Sequence, residues 1–79
     1  MQNDIFLYNN FVTFVIKSSE LLRIVKSHGW EVYKVKGSHC FLRHPYRTGI
    51  LIVPYHGNKT LGKGLVIRIF KEAGIEWKK

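Results

Sequence analysis

The residues of this chain whose types and spacing could do chemistry gather around one histidine. His39 follows the flexible dipeptide Gly37-Ser38, and alternation along strands places Lys34, Lys36 and Arg43 on the same side of a sheet. A histidine side chain moves protons at neutral pH, and neighbouring cations bind phosphate. On RNA, such a histidine could deprotonate a 2′-hydroxyl that attacks the adjacent phosphorus, while a cation stabilises the phosphorane oxygens. The alternative is that His39 only contacts phosphate or a neighbouring strand.

The other histidines are weaker candidates for catalysis. His56 lies in the loop after the last predicted strand and is the second catalytic candidate. His28 precedes a predicted helix end, where an imidazole can satisfy terminal carbonyls, and His44 precedes Pro45 at a predicted turn. The candidate RNA-binding residues are Lys34, Lys36, Ser38, Phe41, Arg43, His56, Lys59 and Lys63.

The sequence predicts no metal and no cofactor. His39 and Cys40 are neighbours on a strand and point to opposite faces, and His44 is about 13 Å along the strand from Cys40. Tetrahedral zinc needs its ligands close together. The glutamates are scattered and form no paired-carboxylate site. Cys40 is expected to be a small core residue with an inert thiol.

Periodicity and turn residues predict the elements that position these side chains. A helix is predicted over residues 19–28, with Ser18-Ser19 as N-cap candidates and Gly29 at its end, and a second helix over residues 65–73 ends at Gly74. Between them, three strands are predicted at Trp30–Lys36, His39–Arg43 and Gly49–Val53. Their short connections require an antiparallel meander.

This α-β-β-β-α order predicts an α+β fold with both helices on one face of a three-stranded antiparallel sheet. The opposite face of the sheet is then exposed. Strand alternation predicts that Tyr33, Val35, Cys40 and Leu42 point inward. It predicts that Lys34, Lys36, His39, Phe41 and Arg43 point outward.

Length and charge limit the classes of function. The chain has 79 residues, enough for one domain, and its 13 Lys and Arg against 5 Asp and Glu give a formal charge of +8. Such a balance favours a polyanion as partner, and nucleic acid over a membrane surface. One cysteine allows no internal disulfide, and no apolar run is long enough to span a bilayer. We therefore expect a cytoplasmic protein.

The chain divides into two predicted parts. Residues 1–16 contain two β-prone runs, Ile5–Tyr8 and Phe11–Ile16, on either side of Asn9-Asn10. They form an N-terminal extension of unknown role, a possible strand or hairpin, and lack the features of a signal peptide. Residues 17–79 form the RNA-binding and catalytic domain.

Several motifs in the second part carry a family resemblance. They are Ser18-Ser19-Glu20-Leu21, Gly29-Trp30, Gly37-Ser38-His39, Val53-Pro54 with His56-Gly57, and Lys63-Gly64 leading to Lys71-Glu72-Ala73-Gly74-Ile75. In this order and spacing, the stretch 18–75 resembles the HicA family of small bacterial toxins, the ribonuclease halves of type II toxin-antitoxin pairs.

The resemblance implies a fold like the double-stranded-RNA-binding domain and an endoribonuclease that cleaves mRNA. It implies that activity depends on the histidine of the Gly-Ser-His motif, here His39. It also implies a HicB-type antitoxin that covers this histidine and contacts DNA, so that the toxin reaches DNA only through its partner. Two alternatives stay open: a non-catalytic double-stranded-RNA-binding module, and a domain whose exposed sheet face is mainly a protein interface.

Overall fold

The protein is built from two helices and a three-stranded antiparallel sheet. The computed structural model describes the backbone of residues 7–8 and 13–14 and all of residues 16–76. In chain order the elements are β1 (Leu7–Tyr8), β2 (Thr13–Phe14), β3 (Ile16–Lys17), α1 (Ser18–Ser27), β4 (Glu31–Lys36), β5 (His39–His44), β6 (Arg47–Pro54), β7 (Thr60–Leu61) and α2 (Lys63–Ala73). The sheet has the order β4-β5-β6. The predicted α+β fold class is confirmed.

Both helices bury the apolar stripe that their sequences predict. In α1 the buried apolar residues are Leu21, Ile24 and Val25. In α2 they are Val66, Ile69, Phe70 and Ala73. These side chains form one core with the inward residues of β5 and β6, which are Cys40, Leu42, Leu51 and Val53. Burial of this continuous apolar surface is the main stabilising contribution to the domain.

Each helix ends at a glycine in a left-handed conformation. After α1, Gly29 has φ 100°, and the Gly29 and Trp30 amides donate to the carbonyls of Lys26 and Val25 at 3.0 and 3.2 Å. This is the hydrogen-bond pattern of a Schellman motif, which needs a residue that tolerates positive φ. The same motif ends α2 at Gly74, whose φ is 77°. The buried Trp30 links the C-terminal ends of the two helices, because its Nε1 donates to the Ala73 carbonyl at 3.1 Å.

The prediction that Tyr33 points inward is wrong, whereas Val35 points to the predicted face without being buried there. In β4 the register shifts between Val32 and Lys34, so that Tyr33 is the extra residue of a β-bulge. Tyr33 is 40% exposed, and the Arg43 guanidinium of the outer face lies 5.0 Å from its ring centroid. Val35 pairs with the buried Cys40, yet it is 63% exposed because it lies on an edge strand while the helices pack over β6.

The chain before α1 extends the structure by short strand pairings. β1 pairs antiparallel with β2, and β3 pairs antiparallel with β7. Ile16, the last residue of the predicted extension, is fully buried in the core. The predicted turn at Asn9-Asn10 lies outside the described residues.

The start of α1 differs from the sequence interpretation. Lys17 is the N-cap residue, with an extended backbone, and its amide donates to the Glu20 carboxylate at 3.3 Å. Ser18 is therefore the first helical residue, and its fully buried hydroxyl has another role, described below. No helix in the described part of the chain is long and apolar enough to cross a membrane.

Candidate nucleic-acid interface and active site

His39 occupies the first position of β5, on the face of the sheet opposite the helices. Its strand neighbours are Lys36 of β4 and Pro54 of β6. The side chain is exposed, whereas the next residue, Cys40, is buried. Within residues 16–76 the His39 imidazole makes no hydrogen bond, so both ring nitrogens are available to a ligand. The predicted outward position of His39 is confirmed.

The outer face of the sheet carries exposed cations that lie over aromatic rings. The Lys34 ammonium is 5.1 Å from the centroid of Phe41, and Arg43 lies over Tyr33 at the distance given above. Lys36 is exposed directly beside His39 in the register. Cation–π contacts orient a charge and leave its outer side open to solvent. The predicted basic outer face is present, although Arg43 is at the far end of β5 from His39.

A groove of about 480 Å³ is lined by His39, by outward residues of β6 and by residues of α2. We call it the His39 groove. Its lining residues are His39, Ile50, Ile52, Pro54, Leu65, Arg68 and Glu72. Arg68 and Glu72 form an ion pair at 3.3 Å with both side chains well exposed. The groove is thus lined by the exposed His39, by apolar side chains and by an ion pair.

The loop after β6 is fastened to the turn that carries His39. The Tyr55 amide donates to the Ser38 carbonyl at 2.7 Å. The buried Ser18 hydroxyl donates to the Pro54 carbonyl and accepts from the His56 amide at 3.0 Å. Ser18 therefore uses its hydroxyl to hold this loop, which explains why it does not cap α1. The backbone around His39 and His56 is fixed by these contacts.

The remaining predicted RNA-binding residues surround the groove without lining it. His56 and Lys59 are exposed in the loop after β6, and Ser38 is half-buried in the turn before His39. Lys63 is exposed at the first position of α2, two residues before Leu65 of the groove. In the described part of the chain, the groove lining includes neither His56 nor the two lysines. Of the predicted RNA-binding and catalytic residues, His39 lines this groove.

His44 has a structural environment at the opposite end of β5. Its Nδ1 accepts from the Tyr46 amide at 3.0 Å, so Nε2 carries the proton and donates to the His28 carbonyl at 2.9 Å. The ring also contacts Trp30 edge-on, with centroids 5.2 Å apart. His28 itself places Nδ1 3.1 Å from the Ile24 carbonyl near the end of α1. Both histidines satisfy local backbone groups.

Cys40 has the environment of an inert core thiol. It is 5% exposed, and its burial raises the pKa of the thiol, an effect that the charge of Lys26 partly opposes. A raised pKa keeps the sulfur protonated and unreactive at neutral pH. Among the residues that the structure describes, no three His, Cys, Asp or Glu side chains are grouped closely enough to hold a metal ion.

Of the seven residues that line the groove, sequence reasoning predicted only His39 as a site residue. Ile50 and Ile52 alternate with the buried Leu51 and Val53, so strand alternation could have placed them on the outer face. Arg68 and Glu72 lie outside the apolar stripe of α2. No local pattern indicates that this polar flank of the helix lines the same groove as His39 at the start of β5, because that arrangement depends on how α2 packs against β6.

These features define a small α+β domain with an exposed, basic sheet face and an exposed histidine that lines a groove. A family model described as the HicA toxin of bacterial toxin-antitoxin matches residues 18–75, most of the chain. The chain belongs to the HicA toxin family and is a toxin of a toxin-antitoxin system. No curated protein matches the sequence.

Proposed function

We propose that this toxin is a metal-independent endoribonuclease that cleaves mRNA in the cytoplasm and thereby blocks translation. One observation supports this most directly: His39 is exposed and lines a groove, on a basic face, with its imidazole unengaged within residues 16–76. A general acid or base must be within reach of substrate and free to exchange a proton. His39 meets both conditions, whereas His44 meets neither.

The reaction follows from these groups. His39 takes the proton of a 2′-hydroxyl as the oxygen attacks the neighbouring phosphorus. The bond from phosphorus to the 5′-oxygen breaks, and the leaving oxygen takes a proton from solvent. The products are a 2′,3′-cyclic phosphate and a 5′-hydroxyl. A cation beside His39 stabilises the negative charge that develops on the phosphorane oxygens. We assign this role to Lys36, which is the strand partner of His39.

The other candidate residues bind the RNA along the outer face. Lys34 and Arg43 extend the positive charge across the sheet, and Phe41 offers an aromatic surface beside them. Lys59 and Lys63 extend this charge around the groove, where Ser38 and His56 offer polar groups for hydrogen bonds to the RNA. We assign these roles to the domain of residues 17–79, with the chain before it as an extension of unassigned role.

A HicB-type antitoxin is the proposed partner of the same surface. A chain with a formal charge of +8 attracts an acidic partner, and added salt slows such an association. An antitoxin that covers His39 would exclude RNA from the groove. Any contact of the pair with DNA is assigned to the antitoxin.

The test compares wild-type protein, His39→Ala and the control His28→Gln on single-stranded and duplex RNA in excess EDTA. We expect wild type and His28→Gln to leave cyclic-phosphate ends, while His39→Ala folds, binds RNA and leaves it intact. Normal cleavage by His39→Ala would disprove the role of His39. Cleavage that EDTA stops and Mg²⁺ restores would disprove metal independence. Duplex-selective binding without any cleavage would favour the non-catalytic module.

A further inference from the structure

We propose that the His39 groove is a nucleobase subsite, which holds the base next to the cleaved bond and favours guanine. The inference rests on the proposed ribonuclease function and extends it from cleavage to sequence preference. The groove is lined by the residue assigned to the reacting phosphate together with residues of β6 and α2. A nucleotide attached to that phosphate must place its base within one nucleotide length of His39.

The walls of the groove suit the faces of a base. Ile50 and Ile52 are 56% and 44% exposed although they are large apolar side chains on the edge strand β6. Leu65 of α2 is half-buried and lines the same groove, as does Pro54. Flipped or single-stranded bases are held between apolar or aromatic side chains, which cover their faces. A volume of about 480 Å³ lies within the range of small-ligand sites, roughly 300–1,000 Å³.

The polar end of the groove suits the edge of a base better than a phosphate. The Glu72 carboxylate lies 3.3 Å from Arg68, and its negative charge opposes the binding of an anion at this place. Both side chains are largely exposed, and an exposed pair at this spacing contributes little to stability. Arg68 and Glu72 can therefore exchange part of their mutual contact for hydrogen bonds to a ligand that offers both acceptors and donors.

Guanine is the base that uses both charges most fully. Its O6 and N7 accept hydrogen bonds from arginine, and the N1–H and N2–H groups donate to a carboxylate. The other bases offer a carboxylate fewer adjacent donors. Arg68 then contacts the acceptors of the ring and Glu72 its donors, while the apolar walls fix its plane. The groove thereby selects guanine beside the cleaved phosphate, while His39 performs the same chemistry on every sequence.

The first test compares Glu72→Gln and Arg68→Gln with the control Lys71→Gln, which alters an exposed residue of α2 outside the groove. Cleavage sites in a random-sequence RNA are read by sequencing the new ends. We expect wild type and Lys71→Gln to favour guanine at one flanking position by about tenfold or more, as is typical of one good base contact. The two groove variants should lose this preference and cut guanine sites no faster than other sites, whereas Lys71→Gln should cleave every sequence as wild type does.

A second measurement separates this inference from the proposed function. His39→Ala is titrated by NMR with a single-stranded DNA oligonucleotide that carries one guanine, and with versions carrying another base there. We expect the resonances of Ile50, Ile52 and Leu65 to shift with guanine and to shift less in Glu72→Gln. If wild type cleaves no RNA but these shifts occur, the ribonuclease function fails and the subsite stands. If the groove variants keep the preference, or if guanine shifts these resonances no more than the other bases do, the subsite is disproved.

Discussion

The two ends of β5 carry histidines with opposite environments. At the start of the strand His39 is exposed beside a groove and is unengaged within residues 16–76. At the other end, His44 bonds backbone groups through both nitrogens and packs against Trp30. The same residue type thus serves the proposed chemistry at one end and the fold at the other. The two environments differ in whether nearby backbone groups form hydrogen bonds with the ring nitrogens.

The sharpest test of this comparison removes each ring in turn. We expect His39→Ala to lower the cleavage rate by about 10²-fold or more, which is typical of a general acid or base, with the free energy of unfolding unchanged. His44→Ala should keep its cleavage rate per folded molecule and lose about 1–3 kcal/mol of stability, since two backbone groups lose their partner. Rates on RNA and urea unfolding measure the two effects. Similar effects of both variants would refute the division.

Gly29, which lies beside His44, allows a second prediction about stability at this end of β5. A Cβ added at Gly29 would lie 2.5 Å from the His44 Nε2, and the φ of 100° is itself unfavourable for alanine. Gly29→Ala should therefore cost about 3 kcal/mol, from strain and from displacing the His44 hydrogen bond.

Gly74→Ala is the matched control. Its φ is 77°, and the added Cβ would meet only the flexible end of Arg47. It should cost about 1–2 kcal/mol, the strain alone. Denaturant unfolding of both variants gives the difference. Equal losses would show that the His44 contact contributes little.

At the His39 end of β5, the charges should act on binding more than on stability. Lys36→Ala removes an exposed cation beside His39. It should weaken binding to all single-stranded sequences and reduce the slope of log K against log salt by about 0.7. The control Lys71→Ala lies on α2, away from the outer face, and should change the slope less. A salt series with His39→Ala as the parent measures both without cleavage.

The smallest expected effect concerns Cys40, next in sequence to His39 and on the opposite face. Burial raises the pKa of the Cys40 thiol, so the folded protein keeps this proton at a pH where the unfolded chain releases it. The stability that the thiol contributes is therefore complete below its unfolded pKa, about 8.5, and decreases as the pH rises above it. The stability difference between wild type and Cys40→Ala should shrink from pH 8 to pH 10. A constant difference would contradict the raised pKa.

Local patterns were sufficient to predict most of the fold. The apolar stripes and the stops at Gly29 and Gly74 predict both helices, and the three strands follow from short turns between β-prone runs. The exposed position of His39 and the buried position of Cys40 follow from alternation. These features depend on residues a few positions apart, so the sequence contains enough information to place them.

The errors arise where the structure depends on contacts distant in sequence. The bulge at Tyr33 interrupts alternation, and Val35 is exposed because no helix covers its end of the edge strand. The hydroxyl of Ser18 was expected at a helix cap, and instead it binds a loop 36 residues away. The ion pair of Arg68 and Glu72 reaches the groove only through the packing of α2.

The bulged edge strand β4 also has a consequence for solubility. A straight, uncharged edge offers free backbone groups that pair with the edge of another molecule and begin an aggregate. In β4 the bulge at Tyr33 bends the strand, and Lys34 and Lys36 place repelling charges along it. The lysines proposed to attract RNA are thus the same groups that discourage sheet-to-sheet polymerisation. A variant in which Lys34 and Lys36 are replaced by neutral residues should therefore self-associate more readily than the parent protein.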